Sequence, residues 1–181
     1  MKIPEHVVIG GAASLLLAPV LGPDSAVFWA SSWLIDVDHY LDYIYRNGFH
    51  DFSIKRAMVF NQVLNEEAKG KPFIALHLLH TAEFLGLVAS IGAISGNSWV
   101  WALLWGILLH LGLDLVYVYS RHILFWRAFS IGEFAVRWAV MKRGGKHPEL
   151  PYHRAMQAIS WGRNRDVHCL NPFSRKPRTF D

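Results

Sequence analysis

Residues 99–120 read WVWALLWGILLHLGLDLVYVYS, an apolar and aromatic run interrupted by His110 and Asp114. A helix needs about 20 residues to cross a hydrocarbon core, and this stretch is long enough. At about 100° per residue, positions four apart lie only about 40° apart, so His110 and Asp114 share one face. A carboxylate at that depth costs at least about 2.5 kcal/mol and requires a partner. How the rest of the chain supplies that partner decides the fold.

Three further apolar runs precede this one. The first, 7–21, stops at Gly22-Pro23-Asp24, a helix end followed by a turn. The second, 25–45, carries Asp36, Asp38 and His39 in its later part. The third, 72–94, opens on Pro72, a favoured first helical position, and Ser95-Gly96-Asn97-Ser98 then turns into the fourth. The pattern predicts an all-α protein: a four-span membrane helical bundle, whose backbone is satisfied internally as a bilayer demands.

Charge placement supports that topology. The chain has 18 Lys and Arg. All fall at the N-terminus (Lys2), between Arg46 and Lys71, or from Arg121 onward, and the turns after the first and third runs have none. With four spans, every basic residue lies on one side, which puts both termini in the cytoplasm. Trp99, Trp101 and Trp105 sit near the far end of the fourth run, and Tyr40, Tyr43 and Tyr45 near the cytoplasmic end of the second, as an aromatic belt would. Hydrophobic residues make up 52% of the chain and the mean hydropathy is +0.21. The net charge of +4 is therefore read as affinity for a membrane surface, with no nucleic-acid partner expected. No cleavable signal peptide is expected. The single cysteine, Cys169, excludes an internal disulfide and a cysteine-based zinc cluster.

Two segments look amphipathic rather than spanning. Residues 51–67 mix Phe52, Ile54, Met58, Val59 and Val63 with Lys55, Arg56 and Glu66. Residues 123–143 mix Phe125, Trp126, Phe129, Phe134 and Trp138 with Arg127, Arg137, Lys142 and Arg143. Both are expected to lie on headgroups as interfacial helices. The division expected is a membrane-embedded metal-binding domain over 1–122, followed by an interfacial helix and basic cytoplasmic tail over 123–181.

Polar residues in the four runs fall at similar depth, near the cytoplasmic end: His6 in the first, Asp36, Asp38 and His39 in the second, His77, His80 and Glu83 in the third, His110 and Asp114 in the fourth. Three-residue steps turn by only about 60°, so His77, His80 and Glu83 face one interior if helical, as do Asp36 and His39. Asp38 points away from Asp36 unless the helix distorts between them. No Lys or Arg lies within the later spans to pair with these carboxylates, so a divalent metal supplies the missing charge. Nitrogen and oxygen donors without thiolate suit zinc, with manganese or iron as alternatives, and the number of donors points to two or more ions. No HExxH, GxSxG or Walker motif occurs.

Several of these elements resemble those of the small inner-membrane-bound metal-dependent hydrolases, the LexA-regulated hydrolase family. They are His6 ahead of an apolar helix, Leu34-Ile35-Asp36-Val37-Asp38-His39 against a proline-Asp-x-Asp motif, His80-Thr81 against a His-Ser element, and Leu109-His110-Leu111-Gly112-Leu113-Asp114 against a Ser-His-x-x-x-Asp helix. The resemblance covers residues 1–120 and is loosely similar to the His/Asp constellations of zinc-dependent phospholipase C. The chain lacks the proline before Asp36, and has His77 and Glu83 where that pattern has an Arg and a small residue. The resemblance implies an integral protein of a prokaryotic inner membrane with metal-dependent hydrolase activity.

The expected function is hydrolysis of a phosphoester or lipid-linked substrate at the cytoplasmic face through metal-activated water, with membrane lipids as surroundings. His6, Asp36, His39, His77, His80, His110 and Asp114 are the expected metal ligands. Glu83 and Asp38 are candidate catalytic residues, and Arg127 and Arg137 are candidates for holding an anionic substrate. A metal-handling transporter and a non-enzymatic membrane anchor are the alternatives.

Overall fold

The computed structural model describes residues 3–120, 123 and 126–161, with side chains through 159. The basic tail beyond 161, with Cys169, lies outside the described residues, as do Lys2, Arg121 and Phe125. All regular structure among the described residues is helical, as expected: α1 (Ile3–Leu21), α2 (Ser25–Leu34), α3 (Val37–Arg46), α4 (Ile54–Ala68), α5 (Ala82–Ser95), α6 (Ser98–Ser120), α7 (Ile131–Arg143) and α8 (Leu150–Trp161).

Helices α1, α2, α5 and α6 form an apolar layer. α1 and α2 make an antiparallel hairpin, in which Trp29 Nε1 donates to Val7 O at 3.0 Å and Ser14 Oγ to Ser25 O at 2.7 Å. α2 runs alongside α6, with Phe28 and Ser31 of α2 seated against Gly106. α5 ends at Gly96, whose φ of 67° is a left-handed cap, and Gly92 lies against Trp101 of α6. Much of this layer's outer surface is apolar and uncovered: Leu16, Val20 and Ile94 are 81%, 84% and 87% exposed.

Among the described residues two helical stretches are long and apolar enough to cross a membrane. They are the run Ile3–Arg46, which folds back on itself after α1, and Ser98–Ser120. The expected second and third spans are shorter than predicted. The second breaks after α2, which is 10 residues long. There the backbone tightens into three-residue bonds, Asp36 N–H to Trp33 O at 3.2 Å and His39 N–H to Asp36 O at 3.1 Å. The third starts ten residues later than Pro72 suggested, at Ala82, where Thr81 caps α5 by accepting from Phe84 N–H. The residues before it stay non-helical because their backbone groups bond elsewhere. Ala75 N–H donates to Trp126 O at 2.7 Å and Ala128 N–H to Ala75 O at 3.0 Å, while Leu79 N–H donates to Asp38 at 2.7 Å.

A second core lies at the other side of that segment. α4 buries Ala57, Phe60, Leu64 and Ala68, a helical stripe, against Tyr43 and Ile44 of α3 and Tyr152 and Ala155 of α8. The expected interfacial helix at 51–67 is thus packed on protein along this stripe, leaving Phe52, Ile54 and Met58 exposed on its other side. α8, which the sequence reading left in the tail, completes that core. α7 has no buried residue and exposes Ile131, Val136 and Val140.

Candidate metal centre

The polar residues of the apolar layer meet where it joins the second core. α1 brings His6, the α2–α3 break brings Asp36 and Asp38, the turn before α5 brings His77 and His80, and α6 brings His110 and Asp114. All seven are at most 9% exposed. Asp36, His80, His110 and Asp114 each offer a donor atom, and the four atoms lie within 4.8 Å of one another. These residues form a group that can bind a metal ion.

Hydrogen bonding fixes how the two imidazoles are presented. His110 Nδ1 lies 2.9 Å from Ser32 O, and a carbonyl only accepts, so Nδ1 carries the proton. His80 Nδ1 faces Asp38 Oδ2 at 3.4 Å, and that oxygen also accepts from Leu79 N–H at 2.7 Å. An oxygen that accepts from Leu79 N–H is placed to accept from His80 as well, which makes His80 Nδ1 the donor. Both Nε2 atoms then carry lone pairs, and they face each other at 3.3 Å. Asp36 Oδ1 and Asp114 Oδ2 stand 3.4 and 3.5 Å from the same His110 Nε2. In that tautomer pair two imidazole lone pairs converge with two carboxyl groups, an arrangement that a bound cation would satisfy. Carbonyl and carboxylate partners on the outer nitrogens are what orient histidines toward a metal.

The remaining predicted ligands surround this group. His6 stacks on His110 with centroids 3.9 Å apart, and its Nε2 is 3.2 Å from Asp114 Oδ1, so it positions that carboxylate from behind. His39 Nε2 is 3.6 Å from Asp36 Oδ1, and its ring lies 4.1 Å from that of His77. The His77 Nδ1 atom is buried without a hydrogen-bond partner. His39, at 34% side-chain exposure, is the cluster's most accessible member.

Three expectations change. Glu83 is exposed in the first turn of α5 and accepts from Ile131 N–H at 3.0 Å, so it anchors α7 instead of serving the cluster. Asp38 is occupied in holding His80 and the turn before α5. The expectation that no protein cation reaches the carboxylates is also corrected: Arg127, from the segment after α6, places Nη1 at 3.1 Å from Asp114 Oδ2. Arg137 pairs with Glu133 at 2.7 Å on α7. Sequence reasoning missed Ser32, whose backbone carbonyl orients His110; every residue has that group, so no residue type in α2 signals it.

Outside the centre, the turn between α3 and α4 is held by Asp51, which accepts from Tyr43 Oη, Ser53 N–H and Arg56 Nη1. Its limited desolvation favours the neutral acid, but those three donors outweigh it and hold the carboxyl at about 2.

No protein-family model, curated protein or solved structure matches the chain.

Proposed function

We propose that the chain is a membrane-embedded, metal-dependent hydrolase with its site at the cytoplasmic face of a prokaryotic inner membrane. The observation that carries the metal is the opposed pair of imidazole lone pairs, His80 and His110 at 3.3 Å, beside two carboxylates. Zinc suits these nitrogen and oxygen donors, and His39 and His77 beside Asp36 are the residues available to a second ion.

Support for the membrane reading comes from the uncovered apolar layer and from the confinement of all basic residues to three segments of the sequence. α1 and α6 are the spanning helices. α2 and α5 run from the far face to the level of the site, since their 10 and 14 residues reach about 15 and 21 Å. The two termini and the cluster then share the cytoplasmic side.

Support for hydrolysis comes from the donor set and from the resemblance in motif to membrane hydrolases. A divalent ion would supply Lewis acidity and lower the pKa of a coordinated water. The chain's own contribution is to hold four donors at fixed geometry, to keep Nε2 of His80 and His110 unprotonated, and to leave the His39 edge open to substrate. A phosphoester, free or lipid-linked, is the substrate class proposed.

Elemental analysis of the detergent-purified full chain tests this reading. Stoichiometric zinc, manganese or iron is expected, lost in the H110A/D114A double variant, with metal-dependent cleavage of a phosphoester. Metal retained in full by that variant refutes the ligand assignment, and a metal-loaded protein inert towards phosphoesters refutes the activity.

A further inference from the structure

The cluster contains three buried carboxylates, Asp36, Asp38 and Asp114, and one guanidinium, Arg127. Arg127 sets a positive charge beside these carboxylates, which favours the approach of an anion.

Arg127 is also built into its place. Its neighbours Trp126 and Ala128 bond to both backbone groups of Ala75, so the residue cannot swing away without breaking that bridge. Its side chain is only 13% exposed. A guanidinium has five N–H donors. The side chain's bond to Asp114 uses Nη1, and none of its nitrogens is sealed in the protein without a partner. The other donors are therefore reachable by a ligand that arrives beside Asp114. That carboxylate lies next to His110 Nε2, so Arg127 stands one oxygen away from the metal position.

Resting on the hydrolase reading above, the geometry points to Arg127 as a phosphoryl-recognition residue. It keeps one N–H on Asp114 and offers the rest of its fork to the non-bridging oxygens of a phosphate group whose remaining oxygen faces the metal. Planar, multiply donating recognition of this kind is what distinguishes arginine from lysine. The phosphate source is either a free phosphoester or a lipid headgroup.

The test uses the full chain, purified in detergent and loaded with zinc. Metal content is measured first, then inorganic phosphate affinity by titration calorimetry. R127Q is expected to keep its zinc and to bind phosphate about 10- to 100-fold more weakly, the loss expected for charge-assisted hydrogen bonds. R127K, which keeps the charge but not the fork, should fall between. Phosphatidate in nanodiscs provides the second arm. Arg127-dependent binding of phosphatidate alone assigns a headgroup, and of inorganic phosphate alone a soluble ester; either supports the assignment. Unchanged affinity for both ligands in zinc-loaded R127Q overturns it. Loss of zinc in R127Q overturns it also, since Arg127 would then only hold Asp114. A wild-type protein without metal removes the hydrolase reading and this one together.

Discussion

Replacing Gly106 with alanine should damage the metal centre from a full turn away. The added Cβ would overlap Phe28 O and Ser31 Oγ and lie 3.0 Å from Phe28 C. Phe28 O belongs to the α2 backbone and cannot rotate aside. α2 and α6 must therefore separate by roughly 1 Å to restore ordinary contact distances. Four residues further along both helices, His110 Nδ1 sits 2.9 Å from Ser32 O, and the same separation stretches that bond past its useful range. Overpacking at about 1–3 kcal/mol, with a buried hydrogen bond lost at about 0.5–1.5 kcal/mol, gives a destabilisation of roughly 2–4 kcal/mol. Loss of the partner that orients a ligating histidine should weaken metal binding about 10- to 100-fold. Thermal unfolding in detergent and zinc competition with a chromophoric chelator measure the two effects. Gly112→Ala is the internal control: it lies between His110 and Asp114, yet its Cβ meets nothing within 4 Å. G112A should match wild type in metal affinity. If G106A bound zinc as tightly as G112A does, the coupling between α2–α6 spacing and the site would be refuted.

Three further outcomes are expected. Asp38→Asn should lower zinc affinity about 10- to 100-fold while the protein stays folded, because His80 loses the anion that fixes its tautomer; an unchanged chelator titration would contradict that role. Glu83→Gln should leave metal content and the proposed phosphoester hydrolysis at wild-type levels, and a large loss of that activity would return Glu83 to the chemistry. Asp51→Asn should destabilise the protein in a pH-dependent way. The native Asp51 carboxyl is held at about 2, below its unfolded value of ~3.9, so its stabilisation is fully present above that value and is lost as pH falls through 2. The gap in unfolding temperature between wild type and D51N should thus be largest at neutral pH and close on acidification.

The helical class, the hairpin turns at Gly22 and Gly96, and the convergence of His6, Asp36, His80, His110 and Asp114 were all legible in the sequence. Each is a local matter: apolar run length, a turn signal, or an i,i+4 spacing on one face. Arg127 was read from the sequence as an interfacial charge able to hold an anionic substrate, without its contact to Asp114. Its arrival at Asp114 depends on backbone pairing between Ala75 and its own neighbours, a contact between segments far apart in sequence that no periodicity encodes. α8 was missed for a related reason. Its buried face is small, Tyr152 and Ala155, and it acquires a meaning only once α4 and α3 supply the facing stripe. Glu83 was placed with the cluster because the 60° steps from His77 assume a helix, whereas Leu78–His80 form a short 3₁₀ turn after an extended His77.

Both departures from the four-span pattern occur at the cluster, and the geometry says why. Along an unbroken helix Asp36 and Asp38 would face nearly opposite sides, so one would point out of the bundle. The break after Leu34 lets both be buried, Asp36 toward His110 and Asp38 toward His80. Likewise, a helix running from Pro72 would use the Leu79 N–H and both backbone groups of Ala75 internally. Left non-helical, those groups instead bind Asp38 and clamp the segment that carries Arg127. In each case regular helix is given up where a regular helix would keep the donors apart. Local rules broken together at one place are expected at functional sites, and here freed backbone groups of the third run bond Asp38 and the segment that carries Arg127.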